Sequence, residues 1–286
     1  MTNLNYITAL FVIVILFHGC HTGDGSDLFN KQEIHLKGRA LHYWDKRVNK
    51  NDAEKALYLL SKYHSVNPDD LDISILYSRA CYFNGYYIEK NLAKQDSIFL
   101  EGYHIAKKII YNSKLFQDTF HKTIGDSSVK ELKGIEALDK KSISALYWYT
   151  ANLGRYLIHK PVVDRLKYRD LLETIIHKLL SLDPAYFYGG GYRMLGTFYI
   201  RLPGSELSKA KQYFDQAIQT YPNYLGTKVL LAKYYYTKSE EKEHFHRILL
   251  EVKSADPTLT PEIMPENIFE QKIAEKLLES ESSLFE

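Results

Sequence analysis

Four stretches of this chain repeat one spacing, and the clearest reads Ala210, Phe214, Ala217 and Pro222, at offsets 0, 4, 7 and 12. Offsets 4 and 7 bring three side chains onto one face of an α-helix, and the proline, with no N–H to donate, ends that helix shortly after. Ala56, Leu60, Tyr63 and Pro68 keep the same offsets, as do Leu172, Ile176, Leu179 and Pro184, and a further helix stops at Asp256-Pro257. A chain punctuated in this way stacks helical hairpins and presents the surface they form.

Pro184, Pro222 and Pro257 lie 38 and 35 residues apart, close to the roughly 34-residue period of tetratricopeptide repeats. The pattern predicts helices over Ala40–Arg47, Ala53–His64, Leu71–Asn84 (capped by Asp69 and Asp70 and closed by Gly85) and Asn91–Tyr111. An irregular insertion follows to Lys140, with a short helix near Val129–Leu138. Ser142–Ile158, Asp164–Leu182, Tyr192–Ile200, Ser208–Thr220, Tyr224–Tyr236 and Lys242–Ser254 continue the series. A final helix, Pro265–Leu278, is expected to fold back over the last hairpin as a cap. No run alternates with period two, so almost no sheet is expected. The fold class is all-α: stacked antiparallel hairpins with degenerate tetratricopeptide-like repeats, forming one domain over 36–286.

The formal net charge of +2, from 37 basic against 35 acidic residues, gives no concentration of positive charge for a nucleic-acid partner. Tyrosine is the unusual component: 24 of 286 residues. Tyrosines pack on one edge and hydrogen-bond at the other, which suits wedges between helices and equally the lining of a ligand pocket.

Ile7–Phe17 is an uninterrupted apolar run of 11 residues, too short to span a membrane comfortably and suited to the core of a signal peptide. It ends at Gly19-Cys20. A small residue before cysteine behind an apolar core resembles the lipobox of bacterial lipoproteins, which implies a signal peptide over 1–19 and lipidation of Cys20. The other reading is an uncleaved N-terminal anchor with an incidental cysteine; both place the body outside the cytoplasm. Residues 20–35 begin small and polar and are expected to form a flexible tether. His21 follows Cys20 where an aspartate would signal retention at the inner membrane, so the outer membrane is favoured. With Cys20 acylated, Cys81 has no disulfide partner. It falls in the apolar series Ile73, Leu76, Tyr77, Ala80, Cys81, which predicts a buried core thiol.

Ala145-Leu-Tyr-Trp-Tyr-Thr-Ala-Asn-Leu-Gly-Arg155, Tyr188-Gly-Gly-Gly-Tyr-Arg-Met-Leu-Gly196, Ala210 to Pro222 and the ending Asn267 to Phe285 together resemble the TatT family. These are accessory lipoproteins of tripartite ATP-independent periplasmic (TRAP) transporters. The likeness runs from about Ala40 onward. It implies a helical body with degenerate tetratricopeptide motifs, pores through the subunits of a homotrimer, and a partner in the transporter's periplasmic substrate-binding protein.

Within Ser142–Ile158, the residues Ile143, Leu146, Tyr147, Thr150, Ala151, Gly154 and Leu157 form one wide face, read as the core side, with Gly154 admitting a neighbouring helix. Trp148, Asn152 and Arg155 form a second stripe. Facing a channel, Arg155 and Asn152 would hold the head of a small organic acid and Trp148 would cover its apolar portion; facing neighbouring helices, Asn152 and Arg155 would satisfy backbone carbonyls. Tyr188, Tyr192 and Arg193, around Gly189-Gly190-Gly191, pose the same choice between ligand contact and a simple turn.

Catalysis finds no support. His244 and His246, two apart on a helix, point to different sides, so no metal is expected, and no His-Glu-x-x-His, Gly-x-Ser-x-Gly or phosphate-binding loop occurs. No cofactor is implied. Two functional classes remain: a ligand-handling TRAP accessory with an enclosed channel, and an interaction scaffold with an open concave groove.

Overall fold

The computed structural model describes residues 25–286; the stretch expected as a signal peptide, 1–19, and Cys20 lie outside the described residues. Fifteen α-helices and no strand occur among the described residues. Asn49, Asp70, Asn91, Ser113 and Asp126 each accept a backbone N–H at the start of a helix, which fixes where α2 (Lys50–Val66), α3 (Leu71–Phe83), α4 (Leu92–Tyr111), α5 (Lys114–Lys122) and α6 (Ser127–Glu136) begin. The remaining helices are α1 (Gly25–Asp45), α7 (Ile143–Leu157), α8 (Val162–Leu166), α9 (Arg169–Leu182), α10 (Tyr186–Arg201), α11 (Leu207–Thr220), α12 (Leu225–Leu230), α13 (Lys242–Ser254), α14 (Met264–Glu279) and α15 (Glu281–Leu284).

Several boundaries differ from the sequence expectation for local reasons. The described part of the stretch expected as a tether over 20–35, from Gly25 on, is helical. Gly85 does not stop α3: the chain continues through a π-turn, Asn84–Ile88, in which the Glu89 N–H donates to the Asn84 carbonyl. Tyr224–Tyr236 is likewise split into α12 and a π-turn, Leu231–Tyr236. The insertion after α4 is more regular than expected, since α5 and α6 form a hairpin of their own, and α7 then returns to pack along α4.

The repeated positions do what their spacing implies. Ala56, Leu60, Ala210, Phe214 and Ala217 are fully buried, and so are Phe245, Leu249 and Val252 ahead of Pro257, which complete a fourth copy of the offsets. α1 packs on α2, α3 on α4, α10 on α11 and α13 on α14. Cys81 is buried, as expected, and burial pushes its thiol well above the ordinary value.

α14 packs over α12 and α13 as the expected cap, and it also reaches the first repeats, which the sequence did not foretell. Phe269 stacks on Tyr87 and meets Phe83 edge-on. Glu266, buried, accepts from Arg47 at 2.8 Å and from Arg79 at 2.7 Å, and the same Arg47 donates to the Glu262 carbonyl at 2.6 Å. Glu270 accepts from the Tyr87 hydroxyl at 2.7 Å. α14 therefore joins the last repeat to the first ones.

Candidate functional site

Helices α7, α9 and α10, with α8 at the rim, surround a cavity of about 160 Å³. Its wall is mainly apolar and includes Leu157, Ile158, Leu166, Leu172, Ile176, Met194, Phe198 and Leu230. Five of the nine arginines in the chain, Arg155, Arg165, Arg169, Arg193 and Arg201, also line it, and no Asp, Glu, Lys or His does. Among the described residues the arginine ion pairs are those of Arg47 and Arg79 with Glu266, so none of the cavity arginines has a carboxylate within 4.0 Å. Guanidinium groups remain charged at any physiological pH.

The face of α7 expected to form the core does so, with Ile143, Leu146, Tyr147, Ala151 and Leu157 buried, and part of it also borders the cavity. Tyr147, Thr150, Ala151, Gly154 and Leu157, expected to face the core, line the cavity. A β-carbon on Gly154 would meet nothing within 4 Å, so this glycine borders open space where a helix crossing was expected. The close approach is made by Gly102 of α4, whose β-carbon would clash with the Asn152 amide and with Cys81.

Of the stripe read as facing either a ligand or neighbouring helices, only Arg155 reaches the cavity. Trp148 is buried among Tyr82, Tyr147 and Phe187, with ring centroids 5.7, 4.8 and 4.9 Å away. Asn152 is fully buried and its amide donates to the Ser78 carbonyl at 3.0 Å and the Trp148 carbonyl at 2.9 Å, tying α7 to α3. That is the carbonyl-satisfying alternative. Asn152→Ala is expected to cost about 1–3 kcal/mol by removing the buried hydrogen bonds that tie α7 to α3, read as a lower urea midpoint with an unchanged m-value.

Arg155 is half-buried. Its Nε and Nη2 donate to the Tyr82 hydroxyl at 3.3 and 3.1 Å, and its guanidinium lies 3.5 Å from the centre of the Tyr86 ring. Arg201 lies 4.6 Å over Tyr234, and the Nε atoms of Arg165 and Arg201 are buried without a partner.

Around the triple glycine the chain turns sharply. Phe187, Tyr188 and Gly189 have φ of 43°, 58° and 69°, the left-handed region that a large side chain enters only when held there. Arg193 supplies the hold: buried on α10, it donates to the Phe187 carbonyl at 3.2 Å and the Tyr188 carbonyl at 3.1 Å, as well as to Tyr147 and Thr227. Gly190 is required beside it, because a β-carbon there would overlap the Tyr147 ring. Tyr188 stacks on Tyr224 and Tyr192 is half-buried; neither lines the cavity. Sequence reading did not find Arg165, Arg169 and Arg201. They come from three separate helices and share no motif; their one signal was that each is an arginine beside an apolar helical face.

His244 and His246 diverge, toward Glu241 and Glu281 respectively.

No curated protein matches this chain. The family model described as TRAP transporter T-component matches residues 90–285, from just before α4 to the end of α15, with α1 to α3 preceding the match. The order of elements that carried the resemblance, from α7 through the glycine turn and α11 to the ring-closing α14, falls inside that span, and the chain belongs to the TRAP transporter T-component family.

Proposed function

We propose that this accessory component of a TRAP transporter is a lipoprotein anchored through Cys20, facing the periplasm from the outer membrane. In this reading it docks the transporter's periplasmic substrate-binding protein, and its cavity takes up or passes on a small organic ligand. The assembly is a homotrimer, as the family likeness implies. The observation that carries the reading is the cavity itself: an apolar chamber whose only charged side chains are arginines, in a chain whose overall charge is nearly balanced. A catalytic role has no support in this set, because its charged side chains are all arginines, which bind anions and do not transfer protons at neutral pH. Among the described residues no helix is long and apolar enough to cross a membrane, so attachment in this reading falls to the lipid on Cys20.

The alternative, a scaffold with an open concave groove, is disfavoured because α14 joins the first and last repeats. Purification of the tagged protein from envelope extract separates the two. We expect a periplasmic substrate-binding protein to co-purify, and Cys20→Ser to move the protein out of the membrane fraction. Recovery of an envelope assembly factor in place of the binding protein overturns the proposal.

A further inference from the structure

Two carboxyl groups are buried among the described residues, Glu266 and Glu270, and both stand on α14, one helical turn apart. Their surroundings differ in kind. We infer that Glu270 is a proton-binding site that sets how firmly α14 is held to the first repeats: as a neutral acid it seals the junction, and as an anion it is a buried charge without a counter-ion that loosens it.

The contrast between the two acids carries the inference. Arg47 and Arg79 both close on Glu266, at 2.8 and 2.7 Å. Among the described residues the other ion pair of α14 is that of Glu275 with Lys253 of α13, so Glu270 has no basic nitrogen within 4.0 Å. Its Oε1 accepts from the Tyr87 hydroxyl at 2.7 Å, while Oε2 is buried and accepts from nothing. Backbone closes on the same carboxyl from α12, where a β-carbon on Gly226 would stand 3.0 Å from Oε1. A carboxylate shut away from water with a single donor is costly; a neutral carboxyl in the same place is far less so.

Tyr87 belongs to the π-turn Asn84–Ile88 and also stacks on Phe269 of α14, so the carboxyl lies at the contact between α14 and the first repeats. The other groups whose charge bears on it are Tyr86 of the same π-turn, Tyr224 ahead of α12, Arg155 of α7, Arg193 of α10 and Lys233 of the second π-turn. The two arginines are engaged elsewhere, Arg155 with Tyr82 and Tyr86, Arg193 with Tyr147, Thr227 and the carbonyls of the glycine turn. Burial pushes the Glu270 carboxyl up, and Tyr87, Arg155, Arg193 and Lys233 pull it down without cancelling that push, so it lies above the ordinary glutamate value. Its contribution to the junction is therefore complete below the ordinary glutamate range and is lost as pH rises through the raised folded value.

Infrared spectra of the full-length protein in detergent, wild type minus Glu270→Gln, isolate this one carboxyl. Its acid carbonyl band is expected to persist at a pH where the exposed carboxyls have ionised. Amide hydrogen exchange, corrected for its intrinsic pH dependence, reads the consequence. Protection in α14 and in Asn84–Ile88 should fall in wild type over the same pH interval, by about 10-fold for each unit by which the carboxyl titrates above an ordinary glutamate, and should stay level in Glu270→Gln. Tyr87→Phe removes the one hydrogen bond that favours the anion, so it should move the fall in protection to higher pH, a result that stands whether or not Glu270→Gln folds. An acid band lost together with those of the exposed carboxyls, protection that falls alike in wild type and Glu270→Gln, or a transition that Tyr87→Phe leaves in place overturns the inference.

Discussion

Glu266→Ala is expected to lower stability by about 3–5 kcal/mol, because it leaves two guanidinium groups buried without their counter-charge. Arg47 is buried as deeply as the carboxylate it meets, and Arg79 is only 21% exposed at its side chain, so water cannot replace the lost partner at either. Glu266→Gln should lie between wild type and alanine, since an amide keeps one acceptor for the two donors. The same triad predicts a pH dependence. Burial pushes the Glu266 carboxyl up, the charges of Arg79 and Arg47 more than offset it, and its folded value lies below that of an ordinary glutamate. Its contribution is therefore complete above the ordinary glutamate range and is lost as pH falls through the depressed folded value. Urea unfolding of wild type and Glu266→Ala at neutral pH and at successively lower pH should show the gap between them closing as acidity increases. A gap that stays constant removes the ion pair as its cause.

Arg193→Leu is the second large effect, at about 3–5 kcal/mol. The loss combines buried acceptors left without a donor with the release of the two aromatic residues held in the left-handed region. Its consequence is local as well as global. The Phe187 ring packs on Trp148 and Tyr147, so a relaxed turn withdraws an aromatic layer from behind the cavity wall. Amide hydrogen exchange at residues 186–192 is expected to quicken more in Arg193→Leu than in Glu266→Ala, while the urea midpoint falls in both. Unchanged exchange at this turn would show that the backbone holds its shape without the guanidinium.

How much of this was legible in the sequence depends on whether the controlling interaction was local. The offsets 0, 4, 7 and 12 located α2, α9, α11 and α13, because helical periodicity and a terminating proline are properties of one segment. Asp70 and Asn91 were readable as helix starts for the same reason. The π-turns at Asn84–Ile88 and Leu231–Tyr236 were not, since an extra residue per turn is decided by tertiary packing and leaves no mark on the local pattern. The core face of α7 was legible, but the fact that part of it also borders a cavity was not. Tyr147, Ala151 and Leu157 are apolar, and an apolar face suits a ligand chamber as well as a packed core. Asn152 looked like a binding group because a polar side chain on a buried helix needs a partner; the partner is the Ser78 carbonyl, 74 residues away in sequence. The arginine set was invisible because it is assembled from α7, α8, α9 and α10 only when they pack.

The junction that α14 makes with the first repeats changes what kind of object this repeat protein is. In an open solenoid each hairpin leans only on its neighbours, so an end can fray while the middle stands. Here the terminal helix carries Glu266 and Phe269 across to Arg47, Arg79, Phe83 and Tyr87, and neither end is free to fray first. The array behaves as a hoop and not as a spring: the first and last hairpins are expected to unfold together, because neither can leave without breaking the junction.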